Sequence, residues 1–172
     1  MMMEIKKYLE GGDMRSIGQV ERVVPLIKSQ ADFDALFEFV LSRDELLSMR
    51  AIDAVEKITV SHPEYLRPHG EAIFKAMPLA SKNVIKWHLA LIVARIDWQE
   101  ERLGFVWEQL TRWATSAKES RIVRVNAIQA LFELSRKHPE LREDLRLTVE
   151  LLEQSEIPSI KARLRILKKK GL

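Results

Sequence analysis

A block of fourteen residues occurs twice in this chain, and a chain that repeats itself has few folds open to it. Ala51-Ile52-Asp53-Ala54-Val55 runs through Ile58 and Thr59 to His62-Pro63-Glu64. Ala127-Ile128-Gln129-Ala130-Leu131 runs through Leu134 and Ser135 to His138-Pro139-Glu140. Every matched pair is 76 residues apart, six of the fourteen positions are identical, and Val55/Leu131, Ile58/Leu134 and Thr59/Ser135 are close substitutions. Such an offset is about two units of a helical-hairpin repeat of ~40–47 residues, slightly short of that range. A half-period copy is expected between the two blocks, and Trp87-His88-Leu89-Ala90-Leu91 fills the place.

The spacing inside the block is helical. Leu47, Ala51, Val55 and Ile58 recur at intervals of three and four, which puts them on one face of an α-helix. Small Ala at the centre of that face lets a neighbouring helix approach closely, as a stacked array requires. No segment sustains a period of two, so no sheet is predicted. With 172 residues and 47% hydrophobic content, the chain can bury a sizeable core and is too apolar for disorder. There is no cysteine, which excludes disulfides, thiolate catalysis and Cys-ligated zinc. Met1 to Lys7 lacks the apolar centre of a secretory signal, and the longest apolar run, Leu89 to Ala94, is far below the ~18 residues of a membrane span. A soluble, cytoplasmic protein without a membrane span is expected.

Caps and breakers order the elements. Residues 1–12 suggest a short helix stopped at Gly11-Gly12, after which Asp13 or Ser16 caps a helix reaching Ser29 with Ile17, Val20, Val24 and Ile27 on one face. Pro25 inside that span predicts a kink or break. Asp32 is the expected cap of the next segment, with Leu36, Phe37, Val40 and Leu41 at helical spacing. Helices are then predicted over 45–61, 63–77, 82–96, 98–117, 121–137 and 140–154, with a final one opened by Ser155 and Pro158. Ser81, Asp97 and Ser120 are expected caps. Pro63 and Pro139 suit the first position of a helix, and the glutamates that follow them complement its positive dipole end.

Paired antiparallel helices spaced by 36 residues (Ala54 to Ala90) and 40 residues (Ala90 to Ala130) resemble HEAT repeats. Val123-Arg124-Val125-Asn126-Ala127-Ile128-Gln129-Ala130-Leu131 looks most like the second helix of such a pair, and the resemblance covers about 32–170. It implies an all-α, right-handed α-α superhelix of about four HEAT-like hairpins over 32–172, with 1–31 as an N-terminal helical extension and a single domain overall. HEAT arrays mostly serve as binding scaffolds, so the resemblance implies a surface and not a reaction. No catalytic residue, cofactor or metal is expected. The expected function is non-catalytic binding of a protein or peptide partner on the concave face.

In the resemblance, second helices line that concave side. Arg50, Lys86, Asn126 and Arg163 then form a basic ladder, the candidate partner contacts. Its bland alternative is a solvated face, since Asp53 and Lys57 beside Arg50 make a self-neutralising pattern. A second candidate is the chain's last stretch. The net charge of +3 arises there, because Lys161, Arg163, Arg165, Lys168, Lys169 and Lys170 come without an acid. Setting those six aside leaves 22 of the 28 basic residues against 25 acidic ones. Lys161, Arg165, Lys168, Lys169 and Lys170 are therefore candidate contacts to an anionic ligand, nucleic acid or membrane surface; alternatively they are the polar cap of a terminal repeat.

Trp87, Trp98, Trp107 and Trp113 cluster in the middle of the chain. Trp87 and Trp107 fall on predicted core faces and Trp98 is the one expected to be exposed. The runner-up reading is a nucleic-acid-binding HEAT-like protein that uses the basic ladder and the C-terminal helix. Asp97-Trp98, with Arg95 and Lys86 near, resembles in kind the aspartate and aromatics of HEAT-like DNA alkylpurine glycosylases and suggests a relation to them, though Asp97 as a helix cap explains the pair with less. The four histidines make no ligand set, and His62 and His138 are expected to meet helix-end carbonyls.

Overall fold

The computed structural model describes residues 2–11 and 19–172. Asp13, Ser16, Ile17 and the second glycine of the Gly11-Gly12 stop lie outside the described residues. The described residues have helices as their only regular elements, with no strand among them. They form two compact units, Met1–Gly70 and Glu71–Leu172, and the repeated block supplies the central helix of each.

The first unit contains α1 (Met2–Leu9), α2 (Val20–Val23), α3 (Gln30–Val40) and α4 (Glu45–Ser61), with 3-10 turns at Val24–Leu26 and Pro63–His69. The Asp44 carboxylate starts α4, accepting from Leu46 N–H at 2.9 Å and Leu47 N–H at 3.1 Å. Leu47, Ala51, Ile52, Ala54, Val55 and Ile58 are all buried, because α1, α2 and α3 each pack on this helix. The stretch expected as an N-terminal extension is thus part of the same unit: Ile5, Leu9, Val20 and Val23 are fully buried.

Pro25 does break its helix, leaving a single turn of α2 and a 3-10 turn. The cap of α3 is Ser29, not the expected Asp32. Ser29 has the extended backbone of a capping residue, and its hydroxyl accepts from Asp32 N–H at 3.2 Å. Asp32 answers by accepting from Lys28 N–H and from the Ser29 hydroxyl, and these two bonds hold its carboxyl below the usual range. The helix expected over 63–77 is split into the Pro63–His69 3-10 segment and α5 (Gly70–Leu79). Pro68 lacks the N–H that a continuous α-helix would use to bond the Glu64 carbonyl.

The second unit holds most of α5 together with α6 (Asn83–Val93), α7 (Glu100–Thr115), α8 (Arg121–Lys137), α9 (Arg142–Glu153) and α10 (Pro158–Lys168). Here α8 is the hub, packed on by α6, α7, α9 and α10. Val123, Ala127, Ile128, Ala130, Leu131 and Leu134 vanish from solvent accordingly. Ser120 caps α8 as predicted, accepting from Val123 N–H at 3.4 Å. Ser81 and Asp97 do not cap: α6 starts after Lys82 and α7 after Gln99, neither with a side-chain cap bond. Trp98 explains the second departure. Its indole N–H turns inward to the Val93 carbonyl at 2.8 Å, its ring lies near Phe74, and it is only 8% exposed. The expected exposed tryptophan is a core residue that ends α6 and delays α7.

The repeat extends to the hydrogen bonds. His62 and His138 follow α4 and α8, and their backbone N–H groups bond to Ile58 and Leu134 carbonyls at 3.0 and 2.8 Å. Their rings do not reach helix-end carbonyls as expected; Nδ1 lies 3.1 Å from Glu64 in one copy and 3.4 Å from Glu140 in the other. The matched positions Ser48 and Arg124 differ in type but do one job. Ser48 Oγ donates to the Val40 carbonyl ending α3, and Arg124 Nε to the Ala114 carbonyl near the end of α7. Each closes a carbonyl that its helix leaves without an internal donor.

Candidate functional site

In the second unit α6 and α10 both pack on α8, so second helices of consecutive pairs adjoin, as the stacking argument requires. Lys86, Asn126 and Arg163 lie half-buried on these three helices. Lys86 Nζ donates to Glu119 Oε1 at 2.6 Å, with both side chains about five-sixths covered. Arg163 Nη1 donates to Gln129 Oε1 at 2.6 Å, and Gln129 Nε2 in turn donates to Glu133 at 2.7 Å. Asn126 stands one turn before Gln129 on α8. The row therefore carries two cations, two carboxylates and two amides. It is polar and balanced, where a basic ladder was expected.

Arg50, the fourth expected member, is in the first unit and is 1% exposed. Its Nη1 donates to the Leu9 carbonyl at 2.7 Å, the last residue of α1. The guanidinium is a plug for a helix terminus and has no face to offer a ligand. Its neighbours Asp53 and Lys57 do neutralise one another at 3.0 Å, with Glu21 2.8 Å from the same ammonium.

The basic end of the chain is partly compensated by acids just upstream of it. Lys161 reaches Glu156 at 2.8 Å, which holds that carboxyl below its ordinary range through the hydrogen bond and the ammonium charge. Lys168 pairs with Glu153. Arg165, Lys169 and Lys170 are exposed and make no ion pair within the described residues.

Where α8, α9 and the end of α10 meet, a cleft of about 500 Å³ opens. Arg136, Arg142, Arg146, Lys168 and Lys170 line it, over a floor formed by Phe132, Leu145 and Val149. Its two side-chain carboxylates are already engaged: Glu150 by Arg146, and Glu153 by Lys168. Arg146 also holds Glu143 at 2.5 Å, and this pairing raises the guanidinium's proton affinity while depressing the carboxyl's. Lys168 and Lys170 were expected contacts to an anion. Lys161, Arg165 and Lys169 do not line the cleft. The sequence reading missed Arg136, Arg142 and Arg146. The available signal was the i, i+4 spacing of Arg142 and Arg146 on the helix that follows the Pro139 corner, directly after Arg136.

The glycosylase-like constellation is not assembled. The Asp97 side chain is 92% exposed and bonds Lys137 at 3.3 Å, while Trp98 faces inward and Lys86 is held by Glu119. Within the described residues no helix is long and apolar enough to cross a membrane.

No curated protein and no solved structure matches the chain. A family model for the HEAT repeat domain matches residues 6–170, nearly the whole length. The duplicated block, the helix pairs and that match agree, and the chain belongs to the HEAT repeat domain family.

Proposed function

We propose that the protein is a non-catalytic scaffold that holds a protein or peptide partner along the Lys86, Asn126 and Arg163 face of the second unit. A cytoplasmic setting is part of the proposal, the chain having no cysteine to oxidise. The observation that carries it is the alternation of sign along the row. A nucleic-acid backbone rewards continuous positive potential, and Glu119 and Glu133 interrupt it here. A peptide is neutral along its main chain, and each peptide group offers one donor and one acceptor, which the amides of Asn126 and Gln129 can answer in kind.

The test is affinity purification from the native host followed by mass spectrometry, comparing the natural chain with Asn126→Glu/Arg163→Glu. The double variant is expected to lose partners that survive nuclease treatment. Retention of the same partners would remove the proposal, and a catch that nuclease abolishes would transfer it to the nucleic-acid reading.

A further inference from the structure

The cleft between α8, α9 and the end of α10 shares no residue with the row above and has a different electrostatic character. Five cationic side chains line it against two side-chain carboxylates, and both of those already have a cation. Arg136, Arg142 and Lys170 are exposed and make no ion pair with any described residue. These three charges converge on one concavity, whose walls focus their field in a way a flat surface would not. Beneath them lie Phe132, Leu145 and Val149, so the cleft combines unspent positive charge with an apolar floor.

We propose that this cleft is a second docking site, and that it takes an acidic peptide segment carrying a large aliphatic or aromatic side chain among its carboxylates. The apolar side chain enters over Leu145 and Val149, while flanking Asp or Glu side chains meet Arg136, Arg142 and Lys170. Charge complementarity selects the acidic partner. The volume, about 500 Å³, suits a few side chains and not a duplex. Glu150 and Glu153 on the lining would also oppose a continuous run of phosphates, whereas carboxylates spaced by an apolar residue can avoid them. This goes beyond the row reading, because either site can fail while the other stands.

The probe is a fluorescein-labelled peptide in which Asp and Glu flank paired leucines, titrated with the whole chain and followed by fluorescence anisotropy. Binding is expected to weaken about tenfold or more in Arg136→Glu/Arg142→Glu, the worth of two reversed surface charges, and to fall with added salt. Arg136→Gln/Arg142→Gln gives a smaller loss in the same direction, and far-UV circular dichroism verifies that both variants stay helical. Replacing the leucines by serine weakens the probe in the natural chain, and Asn126→Glu/Arg163→Glu leaves it unchanged. Absence of binding, equal binding by the Arg136/Arg142 variants, or indifference to the leucines would overturn the proposal. So would tighter binding of an oligothymidine strand that displaces the peptide.

Discussion

Ala130 tests the packing on which the second unit depends. It is fully buried on α8, the helix that α6, α7, α9 and α10 all touch, and it is the repeat counterpart of Ala54 at the centre of the first unit. Ala130→Leu adds three carbon atoms where there is no solvent to displace. Leucine is nearly as good a helix former as alanine, so backbone preference changes little. Overfilling a packed interior costs about 1–3 kcal/mol through forced rotamers and helix displacement. For a chain of this size each kcal/mol lowers the melting temperature by roughly 2–4 °C, so a fall of roughly 2–12 °C is expected. Ala162→Leu is the control: the same chemical change on α10, at an exposed position, expected to stay within about 0.5 kcal/mol. Thermal unfolding by far-UV circular dichroism on both variants and the natural chain measures the difference. If Ala130→Leu melts with Ala162→Leu, or above the natural chain, α8 is not tightly enclosed and the small-residue argument is wrong.

Two other outcomes are expected. Arg50→Met removes the donor to the Leu9 carbonyl while keeping much of the side-chain volume; it should cost about 1–3 kcal/mol in urea denaturation and speed amide exchange in α1, and unchanged exchange there would refute the plug role. Asp34 accepts from Gln30 at 2.7 Å and meets His69 Nε2 at 2.7 Å, and the Gln30 bond, then His69, hold its carboxyl below its ordinary 3.8. A depressed folded value means the contribution is complete well above pH 3.8 and drains away as pH falls from there through the folded value. Asp34→Asn should therefore shallow the acid limb of a stability-against-pH curve; an acid limb identical to that of the natural chain would count against the pairing.

The amino-acid sequence by itself determined the helical repeat, and it did so through local patterns. Apolar spacing of three and four, Ser120 and Pro139 all act within a turn or two, so the helices predicted over 45–61 and 121–137 are those observed. Where a boundary depended on distant packing, the local signal failed. Trp98 was free to face solvent until Phe74 and the end of α6 gave it an interior, and that moved the start of α7 past Asp97.

The tertiary structure alone decided what the polar residues do. Arg50 and Asn126 occupy matched positions in the two copies, yet one is buried under the end of α1 and the other is half-open beside Gln129. Lys86 reads as a free cation until Glu119, 33 residues away, closes on it. Arg136, Arg142 and Lys170 read as scattered charges until three helix ends bring them around one cleft. A long charged side chain takes its role from whichever carbonyl or carboxylate the fold delivers to it. That partner comes from another element, so the spacing that reveals a helix says nothing of it.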